Sequence, residues 1–126
     1  MKIIKKETIA NTIKVLIVEP DAEPYVKNVL PNLQSYNDIV GGPIEGICPF
    51  GDPVSIVCNE IGKIQGLPAN RALFWSNGQP YDVIAGIFFV IGAEEDTEDY
   101  TSLSDEMIQK YSNIFRDPTC RWTYVL

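Results

Sequence analysis

Val83-Ile84-Ala85-Gly86-Ile87-Phe88-Phe89-Val90-Ile91 is a run of nine residues without one polar side chain. It follows Asp82 and stops at Gly92, just ahead of the acidic stretch Glu94-Glu95-Asp96. A strand with one face in water alternates apolar and polar residues, whereas an unbroken apolar run is covered on both faces. β-Branched and aromatic residues dominate the run, which favours extended chain over helix, and it is too short to cross a bilayer. It predicts a central strand at about 83–91, with Val83, Ile84, Ile87, Phe88, Phe89 and Val90 in the core and Ile56 and Cys58 beside them. The rest of the chain must supply cover for both faces.

Upstream, residues 12–19 alternate well enough for a first strand, with Ile13, Val15 and Ile17 on one face. Pro20-Asp21 is turn chemistry, and residues 25–29 read as extended chain pairing back on that strand. A helix is predicted at about 31–40, with Pro31 at its first position and Leu33, Tyr36, Asn37 and Val40 along one face. Gly41-Gly42 supplies its left-handed stop, and Pro43 forces an extended restart. Short strands follow at 44–48 and 53–59, the second with Val54, Ile56 and Cys58 on one face. Glu60-Ile61-Gly62-Lys63 reads as a hairpin turn in which Gly62 is free to take a positive φ. Residues 64–74 cross from that hairpin toward the central strand, which follows a further turn cluster around Asn77-Gly78.

Downstream, residues 94–99 form a solvated acidic loop without the spacing of a calcium loop. Ser102 and Asp105 stand at capping-box spacing and open a helix at about 103–115, with Leu103, Met107, Tyr111 and Phe115 as its apolar stripe. Asp117-Pro118 ends it, and the tail 119–126 alternates enough to add an edge strand or a docking segment. These elements define an α+β domain: a single mixed, mainly antiparallel sheet covered by two helices. It is expected to occupy residues 12–126, with 1–11 as a frayed or edge N-terminus around Lys2, Lys5 and Lys6.

Composition narrows the chemistry. The 126 residues are 45% hydrophobic and 21% charged, with a formal net charge of −7, which speaks against a phosphate-binding surface spread over the fold. Histidine is absent, which removes Ser-His and Cys-His nucleophile pairs and the common zinc ligand sets. Cys48, Cys58 and Cys120 have no Cys-x-x-Cys spacing, so no disulfide framework is expected and a reducing cytoplasm fits. Cys58 shares a face with aliphatics and reads as core rather than nucleophile. No long apolar stretch follows the basic start, so neither a signal peptide nor a membrane span is expected. No metal, no cofactor and no nucleic-acid partner are expected.

One stretch looks like more than scaffolding: Asn59-Glu60-x-Gly62-Lys63-x-x-Gly66-Leu67-Pro68-x-Asn70-Arg71. Glycines and a proline fix an unusual path along which Asn59, Asn70 and Arg71 bring amide and guanidinium donors together. Read as a site, it offers Arg71 as a planar fork for a carboxylate or phosphate, with Asn59, Glu60, Lys63, Asn70 and Asp82 around it. Read as structure, it has Asn70 closing a turn and Arg71 paired with an internal acid such as Asp82 or Glu60. The structural reading carries more weight overall. Arg71 is the better functional candidate and Asn70 the better structural one. The stretch is no phosphate loop, because Lys63 precedes Gly66.

These residues also carry a resemblance. Val40-Gly41-Gly42-x-Ile44-Glu45, the 59–73 stretch, Tyr81-Asp82-Val83-Ile84-Ala85-Gly86-x-Phe88-Phe89 and Thr101-Ser102-Leu103-Ser104-Asp105 together resemble domain of unknown function 3846, over roughly residues 12–116. The resemblance implies clostridia-like bacteria with their phages and conjugative elements. It implies no activity and no catalytic residues. The expectation drawn from this setting is a non-enzymatic accessory protein of a mobile element that binds a host protein, with blunting of a defence system as one form of that task. The acidic loop 94–99 and the aromatic tail around Trp122 and Tyr124 are its expected contact surfaces. The alternative is a small-ligand module holding a nucleotide or other anion at 59–71. An enzyme using Glu45, Glu60 or Asp82 ranks last, because nothing fixes a pair of them at a useful separation.

Overall fold

A computed structural model describes residues 11–75, 77–118 and 123–125. The chain runs β1 (Ile13–Val18), β2 (Tyr25–Val29), α1 (Leu33–Val40), β3 (Ile44–Ile47), β4 (Val54–Asn59), β5 (Ala69–Trp75), β6 (Pro80–Ala85), β7 (Phe88–Gly92), α2 (Asp105–Ile114) and β8 (Thr123–Val125). Five strands form an antiparallel sheet in the order β2-β1-β7-β4-β3. The other three form a second sheet, β6-β5-β8, in which β5 and β6 are antiparallel and β5 and β8 parallel. The class is α+β, and the expected return of residues 25–29 onto the first strand is present, with Ile13 opposite Val29 and Ile17 opposite Tyr25.

The nine-residue apolar run is not one strand, and this corrects the single sheet expected from it. Gly86, at φ +83°, breaks the run between β6 and β7, which enter different sheets. The break is held on both sides: Gly86 N–H donates to the Pro68 carbonyl at 2.8 Å, and its own carbonyl accepts from Asn70 Nδ2 at 2.9 Å. A Cβ on Gly86 would lie 2.7 Å from Leu67 Cδ1, so a side chain here would also have to push the Leu67 side chain aside. The central strand is therefore β7, in the middle of the large sheet. Val83, expected in the core, lies on β6 and is 40% exposed, and Ile87 is half-buried between the two strands. Ile84, Phe88, Phe89, Val90, Ile56 and Cys58 are buried.

Alternation along β7 sends Phe88 and Val90 to one face and Phe89 and Ile91 to the other. The first pair joins Leu16, Val18 and Ile56, and is covered by Leu73 and Ile84 of the second sheet with Tyr111 and Phe115. The second joins Val15, Ile17 and Val57 under Tyr36 and Val40 of α1. Both faces are thus covered, one by α1 with Tyr100 beside it and the other by a helix together with a second sheet.

Local chemistry sets the helix ends. Asn32 caps α1 by accepting Ser35 N–H at 2.8 Å, which places Pro31 before the cap rather than at the first helical position. Gly41, at φ +78°, ends the helix as its sequence predicts. Ser104, not Ser102, caps α2 by accepting Met107 N–H at 3.2 Å. Ser102 Oγ instead accepts Lys14 N–H at 2.9 Å, and Leu103 N–H donates to the Lys14 carbonyl, so this segment continues the pairing of β1 beyond the end of β7. In the 60–66 turn the positive φ belongs to Gly66, while Gly62 is small because a Cβ there would lie 2.8 Å from the Ala85 carbonyl. The tail adds β8 as an edge strand on β5. The expectations for residues 1–10, Cys120 and Trp122 lie outside the described residues.

Candidate functional site

The structure divides the six candidate residues between the interior and a surface cleft. Asn70 and Arg71 are neighbours on β5, and successive residues of a regular strand point to opposite faces. A register shift between Ala69 and Arg71 in the β5–β6 pairing relaxes that rule, and both residues are buried. Asn70 Nδ2 donates to the carbonyls of Val18 and Gly86, each at 2.9 Å, and so ties β1 to the break in the apolar run. Its Oδ1 accepts from Arg71 Nη1 at 2.7 Å.

Arg71 is 0% exposed. Its guanidinium donates to the Phe115 carbonyl through Nε and Nη2, and to the Ala22 carbonyl through Nη2 at 2.8 Å. Nη1 reaches the carbonyls of Asn70 and Pro118 at 3.3 and 3.5 Å. One side chain thereby gathers the end of α2, the chain beyond it and the β1–β2 turn. The planar fork is used on backbone oxygens, and Asp82, suggested as its internal acid, pairs with Lys63 instead. Asn59 is likewise inside: Nδ2 donates to the Val40 carbonyl at 3.2 Å, and Oδ1 accepts Ile61 N–H at 2.9 Å.

Glu60, Lys63 and Asp82 come together around a cleft of about 230 Å³, which Glu45, Cys58 and Asn59 also line. Lys63 Nζ contacts Asp82 Oδ1 at 2.5 Å. Three carboxylates against one ammonium make this cleft an unfavourable place for an anion. Burial pushes the Cys58 thiol up to about 11; Glu45 and Asp82 add to the rise and Lys63 partly opposes it. Cys58 therefore stays protonated at neutral pH and is no nucleophile.

A second polar cluster is not legible as a site in the sequence. Asp52 Oδ2 accepts from Lys110 Nζ at 2.5 Å and from Tyr111 OH at 2.7 Å. These two hydrogen bonds hold the Asp52 carboxyl below the usual carboxylate range, while burial, then Asp52, push the Tyr111 phenol up. The sequence signal is limited to a tyrosine on an apolar helical stripe, whose hydroxyl needs a partner. The cluster locks the 49–53 turn to α2.

The acidic loop stands apart from both. Glu94, Glu95, Asp96, Glu98 and Asp99 are all exposed. The ion pairs Lys14–Asp105, Lys63–Asp82 and Lys110–Asp52 do not involve this loop. It walls two open grooves. One, of about 640 Å³, has a floor of Ile13, Leu33, Tyr36, Ile44 and Tyr100 and is edged by Glu98 and Asp99. The other, of about 780 Å³, lies between the 48–54 turn and residues 93–96. Among the described residues no group of His, Cys, Asp or Glu is arranged to hold a metal, and no helix is long and apolar enough to cross a membrane.

The fold and its surface define an α+β domain of two packed sheets, pinned by an interior asparagine–arginine pair and carrying acid-edged grooves. The chain belongs to the family described as domain of unknown function (DUF3846), which matches residues 13–116. No curated protein and no solved structure matches it. The family description names no activity, so it transfers no residue roles.

Proposed function

We propose that the protein is a non-enzymatic accessory factor that works in the cytoplasm by binding a host protein, in the mobile-element setting that its family resemblance implies. A component of a defence system is the kind of target that this setting points to. The observation that carries the reading is the acidic loop 94–99, exposed along its length, outside every described ion pair and walling two open grooves. A surface with its charges unpaired and apolar side chains beside them suits a protein partner, since charge steers encounter and apolar contact retains it. The alternative of an anion held at 59–71 has less support, because Arg71 is spent on carbonyl oxygens inside the fold and the nearby cleft is predominantly acidic.

The test is affinity capture from a lysate of the host. Wild type is compared with a variant carrying Glu94→Gln, Glu95→Gln, Asp96→Asn, Glu98→Gln and Asp99→Asn, with native mass spectrometry of what each retains. A stoichiometric protein held by wild type and lost from the loop variant, at unchanged melting temperature, is the expected result. A small molecule retained without any protein, or a protein held equally by both, refutes it.

A further inference from the structure

We infer that the groove between α1 and residues 98–102 seats a basic peptide segment of the partner, which lays an aliphatic or aromatic side chain on Leu33 and Tyr36 and a Lys or Arg against Glu98 and Asp99. This rests on the protein-binding reading and adds the place and the chemistry of the contact.

The apolar part of the argument starts from Leu33, the first residue of α1, which is 60% exposed at the mouth of the groove. Behind it the Tyr36 ring is buried and braced, with ring centroids 5.5 Å from Phe89 and 5.9 Å from Tyr100. An incoming apolar side chain thus meets a fixed aromatic floor and removes an exposed leucine from water. The volume, about 640 Å³, is ample for one or two such side chains.

Charge decides what must accompany that anchor. Glu98 and Asp99 edge the groove, and Glu94, Glu95 and Asp96 continue the same sign along the loop. The opposing term is the N-terminus of α1, worth about half a positive charge and already capped by the Asn32 side chain. Two full carboxylates at the edge, with three more behind them, outweigh it. Of the described cations, Lys14 is engaged with Asp105, and Lys27 lines a separate groove beside Ser35 and Asp38 of α1. Phosphate-bearing partners, whether nucleic acid or an anionic lipid surface, meet repulsion here. A cationic segment meets attraction that strengthens as apolar contact excludes water.

The segment that follows these acids is anchored to the large sheet. Thr101 exchanges both backbone hydrogen bonds with Gly92 at 2.8 and 3.0 Å, and Ser102 and Leu103 are bonded to Lys14. A Cβ on Gly92 would come within 2.5 Å of Thr101 Oγ1, so the loop is seated as close to β7 as glycine permits. That anchoring lowers the entropy lost on one side of the groove when it is filled.

The experiment uses the full chain, isotopically labelled, titrated with an acetylated, amidated synthetic peptide Lys-Leu-Lys-Phe-Lys and followed by amide chemical shifts. Shifts are expected to concentrate at Leu33, Tyr36 and Thr101. Affinity should fall several-fold as salt rises from roughly 50 to 300 mM, the range over which screening shortens below about 10 Å. Leu33→Ser alone, and Glu98→Gln with Asp99→Asn, should each weaken binding roughly fivefold or more, in line with loss of one apolar contact or of a charge pair. Glu60→Gln removes a charge elsewhere and should change nothing. Shifts scattered over the acidic surface, or an equal effect of Glu60→Gln, overturn the proposal. So does finding the groove already filled in the peptide-free protein, by residues 1–10 of the same chain or by a second copy. A host protein captured equally by Leu33→Ser and wild type would sink this groove while leaving the protein-binding reading intact. Peptide seated in the groove with no host protein captured would do the reverse.

Discussion

Arg71→Ala tests whether the centre of the most unusual stretch of this sequence is scaffold or site. The side chain is 0% exposed and its guanidinium donates to the carbonyls of Phe115 and Ala22 at 2.8 Å, with further bonds to Asn70 and Pro118. Each hydrogen bond from a charged donor contributes about 1.5–3 kcal/mol, and an orphaned buried carbonyl costs about 1–3 kcal/mol. Water entering the vacated volume recovers part of this, so the net loss should be roughly 3–5 kcal/mol, the range found when one side of a buried polar arrangement is removed. At about 3–5 °C per kcal/mol for a domain of this size, the melting temperature should drop by roughly 10–25 °C. Arg71→Lys keeps the charge but presents one compact donor, which cannot reach the Phe115 and Ala22 carbonyls as a fork does, so its loss should fall between. Circular-dichroism melting at neutral pH, with hydrogen exchange at the Phe115 end of α2, reads both effects. An Arg71→Ala protein melting within about 2 °C of wild type would refute the scaffold assignment. If that protein had also lost its partner, Arg71 would return as a binding residue.

The Asp52 cluster should make stability sensitive to acid. Its carboxyl is held low by hydrogen bonds from Lys110 and Tyr111, so its contribution is complete above the unfolded carboxylate value and fades as pH falls through the lower folded one. Asp52→Asn should therefore melt below wild type at pH 7, with the gap closing as pH drops below about 4, and a gap independent of pH would contradict this. With Cys58 pushed up to about 11, iodoacetamide at mildly alkaline pH should label exposed Cys48 well before Cys58, as resolved by peptide mapping. Equal labelling rates would show Cys58 to be accessible and ionised. Gly86→Ala should cost roughly 1–3 kcal/mol, from its positive φ together with the 2.7 Å approach to Leu67 Cδ1. Gly66→Ala, at φ +72° with nothing within 4 Å, should lose only the conformational part, and equal urea midpoints for the two would discount the close approach at Gly86.

Local chemistry was legible from the residues alone. Helix spacing and the Gly41 stop place α1, period-two alternation places β1 and β4, and Asn77-Gly78 places the β5–β6 turn, because each depends on neighbours within a few positions. The requirement that both faces of the apolar run be covered is also a sequence property, since no alternation leaves a face for water. What covers them is not. Gly86 inside nine apolar residues reads as a tolerated glycine until Pro68, Leu67 and Asn70 are seen to close on it from elsewhere in the chain. Only that contact turns one strand into two, in separate sheets, and puts Val83 at the surface. The candidate site divides for the same reason. The sequence places Asn59, Glu60, Lys63, Asn70 and Arg71 within one short stretch, yet a register shift in β5 turns Asn70 and Arg71 inward while Lys63 meets Asp82 outside. The groove that unites Leu33 with Asp99 had no signal at all in the sequence, because those residues lie on separate elements that meet only when α1 and the 98–102 segment are both docked on the large sheet.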